Sequence, residues 1–410
     1  DGGQLVPPLD YKIIQTIEKT TFDSIRFKGN SNLLHYVDKE IDDAYHQTVI
    51  EVAQMHKLSK DDFQVAFTPI HGTSITALPQ VLKKAGYKNV HIVPEQEIPD
   101  GSFPTVSSPN PEEPQALQMA LVLAKEKNAD LVIGTDPDAD RFGIIIKDSK
   151  NKWKFLNGNQ IMMILTEYLL NKNQSQGVLT PMHFIATTIV STPAIEKMAM
   201  HFNIQFKKCL TGFKWIAKLV EDYPELHFIG GGEESFGYLV GDTVRDKDAI
   251  SASLLACEIA VEAKAKGTNL FELLIDCYKK YGAYKERLIS ITKAGKSGLE
   301  QINTIMNGFR KNSPQTISSI RVIDVEDYQK GISKNLLTLK ETKIHLPKAN
   351  VLIFKLEDGT QIALRPSGTE PKIKYYFSVN QEYNSEQTWE HQEITMEKRL
   401  NDFETSFKKL

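Results

Sequence analysis

A chain of 410 residues, 41% hydrophobic and 25% charged, has material for two to four globular domains, each with its own core. Its formal net charge of −3 sets up no basic field, which argues against a general nucleic-acid or membrane-surface role. No run is apolar and long enough to span a bilayer, and Cys209, Cys257 and Cys277 are too scattered for a metal knuckle, so a cytoplasmic protein with reduced thiols is expected.

The first ten residues are polar and turn-like, unlike a signal peptide, and with no initiating methionine the chain reads as a fragment or a processed form. Helical spacing is found around residues 11–18 and 41–57. A strand at 63–69 runs into Ile70-His71-Gly72-Thr73, followed by a helix at 78–85, a strand at 90–93, a helix at 113–127 and a strand at 131–133. This alternation predicts a parallel α/β layer, whose ligands bind at the carboxyl ends of its strands. A helix at 159–170 leads to a polar linker at 171–176, read as a domain boundary. The rhythm then repeats: a strand at 184–190, a helix at 192–201, Thr211-Gly212-Phe213-Lys214, a helix at 215–221, a strand entering Gly230-Gly231-Gly232-Glu233-Glu234-Ser235, and helices at 249–264 and 270–280. Past Tyr284, strands at 287–291, 320–325, 351–356, 361–364 and 373–379, with helices at 299–309 and 395–410, predict an α+β domain with an antiparallel sheet.

Gly134-Thr135-Asp136-Pro137-Asp138-Ala139-Asp140-Arg141-Phe142-Gly143 sets carboxylates at alternate positions between two apolar, β-prone runs. Like charges so close call for a cation. A hard divalent ion with oxygen ligands suits them, Mg²⁺ first. An EF-hand would need Gly at the sixth and Glu at the twelfth position of the loop, where Arg141 and Lys147 stand. A solvated acidic turn competes, but Arg141 and the flanking strands fix the loop more than such a turn requires. Three carboxylates underfill an octahedron and leave room for a phosphate oxygen and water.

In the turn Arg365-Pro366-Ser367-Gly368-Thr369-Glu370-Pro371, a guanidinium, two hydroxyls and the amides near Gly368 could cradle a phosphate, or simply close a hairpin. Glu233 and Ser235 could hold vicinal sugar hydroxyls, or cap a helix. Thr211 and Lys214, then Arg245 and Lys247, add hydroxyl and cationic groups; with the acidic loop they suggest a phosphorylated sugar. His71 reads as a structural histidine, and Ser107-Ser108-Pro109-Asn110-Pro111 as an ordinary loop with no base beside its serines.

Together these segments resemble the α-D-phosphohexomutases, the phosphoglucomutase/phosphomannomutase superfamily. GTDPDADRFG resembles its metal-binding loop, TGFKW and GGEESFGY its sugar-binding segments, RPSGTEP its phosphate-binding loop and PNPEE a segment of its second domain. GEES with VRDKDA looks closer to long-type phosphoglucomutases than to phosphoglucosamine mutases. The resemblance implies tandem α/β domains and a C-terminal TBP-like α+β domain: residues 1–40 as a remnant of domain 1, 41–175 as domain 2, 176–283 as domain 3 and 284–410 as domain 4. It implies that Asp136, Asp138 and Asp140 hold Mg²⁺, that Arg141 stabilises a transferring phosphoryl group, and that Thr211, Gly212, Glu233, Ser235 and Arg245 contact the sugar phosphate. Arg365, Ser367, Gly368 and Thr369 would hold the phosphate not being transferred, and Lys247 or Lys214 would be the general acid/base. The reaction implied interconverts glucose 1-phosphate and glucose 6-phosphate through a phosphoserine enzyme and glucose 1,6-bisphosphate. The family's T-A-S-H-N-P segment, which carries that serine, has no counterpart here, so the chain alone is expected to be inactive. The alternatives are a phosphomannomutase, a phosphopentomutase or a non-catalytic sugar-phosphate-binding protein; no nucleic acid or membrane partner is expected.

Overall fold

The apolar runs of the first part of the chain assemble into two sheets of one plan. A computed structural model describes residues 2–53, 58–293, 297–367 and 371–408 and groups the chain into two units, Asp1–Thr188 with Ala199–Leu274, and Ile189–Met198 with Ile275–Leu410. In the first unit, β1 (Gln64–Thr68), β2 (Asn89–Ile92), β3 (Leu131–Thr135), β4 (Phe142–Lys147) and β5 (Trp153–Phe155) form a sheet in the order β2-β1-β3-β4-β5. β6 (His183–Thr188), β7 (Gln205–Cys209), β8 (His227–Gly232) and β9 (Tyr238–Val240) form another, in the order β7-β6-β8-β9. In each sheet three strands are parallel and the next is antiparallel. The parallel layer expected from the sequence is present in each sheet, and an antiparallel strand extends it. Residues 136–141 and 233–237 are too few for a crossover, which needs a dozen or more residues, so each parallel run ends in a hairpin.

The helices of this part are α1 (Leu9–Lys19), α2 (Lys39–Val52), α3 (Leu78–Lys84), α4 (Gln118–Glu126), α5 (Gly158–Ser175), α6 (Ala194–His201), α7 (Lys214–Asp222) and α8 (Ala249–Ala265). α8 is apolar on every side and almost wholly buried, because it packs against β3 and β4 of one sheet and β9 of the other. No residue of α1 is buried. The polar linker expected at 171–176 is helix as far as Ser175. Asn157 and Gln160 form a capping box at the start of α5, and the Asn171 and Asn173 side chains donate back to the carbonyls of Glu167 and Leu169 at 2.8 and 2.7 Å. Gly177, at φ 71°, stands just past its end.

In the second unit, β10 (Ala283–Thr292), β12 (Ile320–Asp327), β13 (Ile332–Asn335), β14 (Glu341–Lys343), β15 (Leu352–Leu356), β16 (Gln361–Pro366) and β17 (Lys372–Gln381) form the antiparallel sheet β10-β17-β16-β15-β12-β13-β14, with β11 (Thr316–Ile317) paired to β12. α9 (Leu270–Tyr281) leads into it, and α10 (Gly298–Lys311) and α11 (Trp389–Lys408) cover it. α11 begins earlier than the sequence suggests and buries Met396, Leu400, Phe403 and Phe407 at helical spacing. Phe407 packs on Phe309, Tyr375 and Phe377. Among the described residues, no helix is long and apolar enough to cross a membrane.

Candidate active site and metal centre

The loop between β3 and β4 is folded by its own first carboxylate. Asp136 Oδ1 accepts the amides of Asp140 and Arg141 at 3.0 and 2.8 Å, the Asp136 amide donates to the Arg141 carbonyl at 3.2 Å, and Ala139 turns through φ 62°. This brings one carboxylate oxygen from each of Asp136, Asp138 and Asp140 to within 4.8 Å of one another. Burial, against the Arg141 amide bond and helped by the charges of Asp140 and Asp138, pushes the Asp136 carboxyl up to about 8. Asp140 Oδ1 is buried with no hydrogen-bond partner. Three carboxylates with converging oxygens, one of them (Asp140) holding a buried oxygen without a hydrogen-bond partner, fit a hard divalent cation.

The preceding loop braces this one. The Thr73 amide and hydroxyl both donate to the Pro137 carbonyl, at 2.8 and 3.0 Å, and a Cβ at Gly72 would lie 2.4 Å from Pro137 Cα. His71 is buried at φ 59°, its Nδ1 3.2 Å from the Ile98 carbonyl and its Nε2 2.9 Å from Thr105 Oγ1. Both ring nitrogens are occupied by structural contacts.

Arg141 points back across the loop. Its Nη1 donates to Glu112 Oε1 at 2.9 Å, and its Nε lies 3.9 and 3.8 Å from Asp136 and Asp140. Its backbone forms an antiparallel bridge with Gly237, and the next amide, Phe142, donates to the Phe236 carbonyl at 3.1 Å. The acidic hairpin of one sheet and the Glu233 hairpin of the other are thus stitched together through their main chains.

In the second hairpin the Glu233 amide donates to the Gly237 carbonyl at 2.9 Å, while its carboxylate accepts the Gly212 amide at 2.8 Å, tying Thr211-Gly212 to the same platform. Ser235 is half-buried in this turn. Lys247 lies over Gly237, where a Cβ would come within 2.6 Å of its Cδ, and its ammonium pairs with Asp140 and, at 3.3 Å, with Asp246. Burial pulls the Lys247 ammonium down, but Asp140 and Asp246 outweigh it and the net shift is upward, so Lys247 is a cation at neutral pH. Lys214 Nζ is 3.8 Å from Asp10, and Arg245 Nε donates to the Asp242 carbonyl at 3.2 Å. Asp248 caps α8 and accepts the Tyr45 hydroxyl at 2.7 Å, while the Ala249 amide donates to the Ala139 carbonyl at 3.2 Å.

In the second unit, Arg365 faces Lys374 across β16 and β17, and the Ser367 amide donates to the Lys372 carbonyl at 2.7 Å, so this turn does close a hairpin. Gly368 and Thr369 lie outside the described residues. Sequence reasoning missed three supports: Thr73, Glu112 and Asp246. Two of these carried a signal, Glu112 as part of the PNPEE segment and Asp246 as part of VRDKDA, and Thr73 stands in the loop entered by the strand at 63–69.

Two family descriptions match the chain: phosphoglucomutase/phosphomannomutase alpha/beta/alpha domain II over residues 43–150, and domain III of the same family over residues 157–281. The phosphoglucomutase of Staphylococcus epidermidis (strain ATCC 12228) is 38% identical over 350 residues, 85% of this chain and 63% of that protein. A Haemophilus influenzae protein named "Probable phosphomannomutase" is 36% identical over 380 residues, 92% of this chain and 72% of that protein. Among solved structures, parafusin, a phosphoglucomutase from Paramecium in its open form, superposes with a TM-score of 0.60 at 18% identity, over 85% of this chain and 59% of that one. The chain belongs to the α-D-phosphohexomutase superfamily. It spans just under two thirds, 63%, of the Staphylococcus epidermidis phosphoglucomutase.

Proposed function

We propose that this chain forms the metal-, sugar- and phosphate-binding parts of a phosphoglucomutase, organised as the four domains 1–40, 41–175, 176–283 and 284–410. The observation that carries the reading is the Arg141–Gly237 bridge, which puts the carboxylate triad and the Glu233 turn on one rigid platform. Asp136, Asp138 and Asp140 would hold Mg²⁺, which when bound supplies positive charge to offset that of a phosphoryl group. Arg141, held by Glu112, presents a second cation to that group. Glu233 and Ser235, with Thr211 and Gly212, orient the sugar hydroxyls, and Arg245 adds charge at their edge. Lys247, beside Asp140, would after giving up its own proton take that of the attacking sugar hydroxyl in the first transfer and return it to the departing sugar oxygen in the second; Lys214 is the other candidate for this role. Arg365, Ser367, Gly368 and Thr369 bind the phosphate that is not transferred. The phosphoryl donor is a phosphoserine in a segment that none of these 410 residues resembles, so the chain alone turns over little or nothing. Glucose 1,6-bisphosphate is the intermediate that reorients between the two transfers, and the setting is cytoplasmic.

The test is kcat/KM for glucose, mannose and ribose 1-phosphates, measured on protein that includes the serine segment. A clear preference for glucose 1-phosphate is expected. A preference for mannose or ribose 1-phosphate overturns the substrate, and no turnover of any of the three favours a sugar-phosphate-binding protein.

A further inference from the structure

The turn after β1 is strained and pinned on every side. Ile70 and His71 both stand in the left-handed region, at φ 46° and 59°. A β-branched residue takes up such a φ only under constraint. The Ile70 side chain is fully buried and its amide donates to Thr68 Oγ1 at 3.0 Å. The His71 amide donates to the Gln96 carbonyl at 3.0 Å, its carbonyl accepts the Asp100 amide at 3.1 Å, and both ring nitrogens are engaged. The strained pair delivers the three residues that follow it to the acidic loop. Gly72 passes against Pro137, Thr73 sets its amide and its hydroxyl on the Pro137 carbonyl, and Ser74 Oγ lies 2.6 Å from Thr135 Oγ1. Thr73 and Ser74 therefore grip the loop on either side of Asp136.

We propose that Thr73 is a positioning residue for the metal centre, the residue whose hydroxyl aims Asp138. This rests on the reading that the aspartate triad binds a divalent cation. Two of the three carboxylates have holders of their own: Asp136 accepts the Asp140 and Arg141 amides, and Asp140 pairs with Lys247. The Asp138 side chain is exposed and, among the described residues, makes no hydrogen bond or ion pair. Its direction is therefore set by its main chain. The ring of Pro137 fixes φ at that residue, so the soft angle left there is ψ, which turns the carbonyl. Two donors from Thr73, at 2.8 and 3.0 Å, fix that carbonyl. With it they fix the planar peptide that carries the nitrogen and Cα of Asp138. Outer contacts of this kind orient metal ligands. The competing account makes the Thr73 hydroxyl one more turn bond, like that of Thr76, whose Oγ1 donates to the Thr73 carbonyl at 2.9 Å.

The experiment is Mn²⁺ titration of the 410-residue chain by electron paramagnetic resonance, with the Pro137 carbonyl ¹³C shift read before metal is added. Thr73→Val keeps the shape of the side chain and removes its hydroxyl. It should raise the Mn²⁺ Kd about three- to tenfold and move the Pro137 carbonyl shift. Thr73→Ser should restore both. Thr76→Val removes a neighbouring hydrogen bond of the same turn and should leave both as they are in the unaltered chain. An unchanged Kd in Thr73→Val, a Thr73→Ser chain as weak as Thr73→Val, or an equal loss in Thr76→Val would overturn the proposal. No Mn²⁺ binding by the unaltered chain would overturn the metal reading on which the proposal rests, whereas an unchanged metal-free carbonyl shift in Thr73→Val overturns the proposal by itself.

Discussion

Replacing Lys247 with Met should tighten, not weaken, divalent-ion binding at the acidic loop. The Lys247 ammonium pairs with Asp140, whose other oxygen has no hydrogen-bond partner, so it acts as an internal counter-ion that a metal must displace or tolerate. At an effective dielectric of 20, two unit charges about 4 Å apart interact by about 4 kcal/mol. Asp140 is 25% exposed while Lys247 is 9% exposed, so the carboxylate side of the pair is partly solvated. Solvent and salt reduce the net term to about 1–2 kcal/mol, or about a five- to thirtyfold lower Kd. Methionine keeps most of the side-chain length over Gly237 and removes only the charge. The assay is Mn²⁺ titration of the 410-residue chain, at low salt and again at high salt, where the gain should shrink. An unchanged or higher Kd at low salt would show that Lys247 is not a counter-ion to this site.

Three further outcomes follow from the same geometry. Gly158→Ala would place a Cβ 2.2 Å from the Glu234 carbonyl oxygen, a backbone atom, and should destabilise the chain by about 1–3 kcal/mol, read as a lower Tm. Glu233→Ala leaves the Gly212 amide without its 2.8 Å acceptor and should loosen residues 211–214, seen as faster amide exchange at Gly212 with little change in Mn²⁺ affinity. His46 is held below its ordinary value by burial and then by Lys84, whose ammonium lies 3.1 Å from Nδ1. Because its folded value is the lower one, its contribution to stability is fully present above about 6.5 and is lost as pH falls through the folded value. Denaturant midpoints measured from pH 7.5 to 5.5 should fall for the unaltered chain and fall less for His46→Gln.

The sequence was most legible where a local pattern settles the outcome. The acidic hairpin could be read because Leu131-Val132-Ile133 and Ile144-Ile145-Ile146 leave a short turn between two β-prone runs. It lay hidden that this turn, like the one after β8, forces an antiparallel strand. β7 was overlooked because Gln205-Phe206-Lys207-Lys208-Cys209 is a half-exposed edge strand, and β9 because it is only three residues long. Asn171–Ser175 reads as a linker by composition, yet side-chain bonds back to the helix carry α5 through it. Residue types pointed to the aspartate triad, Arg141, Glu233 and Lys247 singly. The contacts that unite them, Arg141 with Glu112 and Gly237, Glu233 with Gly212, and Lys247 with Asp140, join residues distant in the chain and become visible only in three dimensions.

The most direct test of a metal-centred phosphohexomutase is glucose 6-phosphate formation from glucose 1-phosphate, with Mg²⁺ and glucose 1,6-bisphosphate, by protein that joins these 410 residues to the serine segment. Turnover is expected from the joined protein, abolished by Asp138→Asn and absent from the 410-residue chain alone. Full turnover by the Asp138→Asn protein, or turnover by the chain alone with intact enzyme excluded, would contradict that expectation.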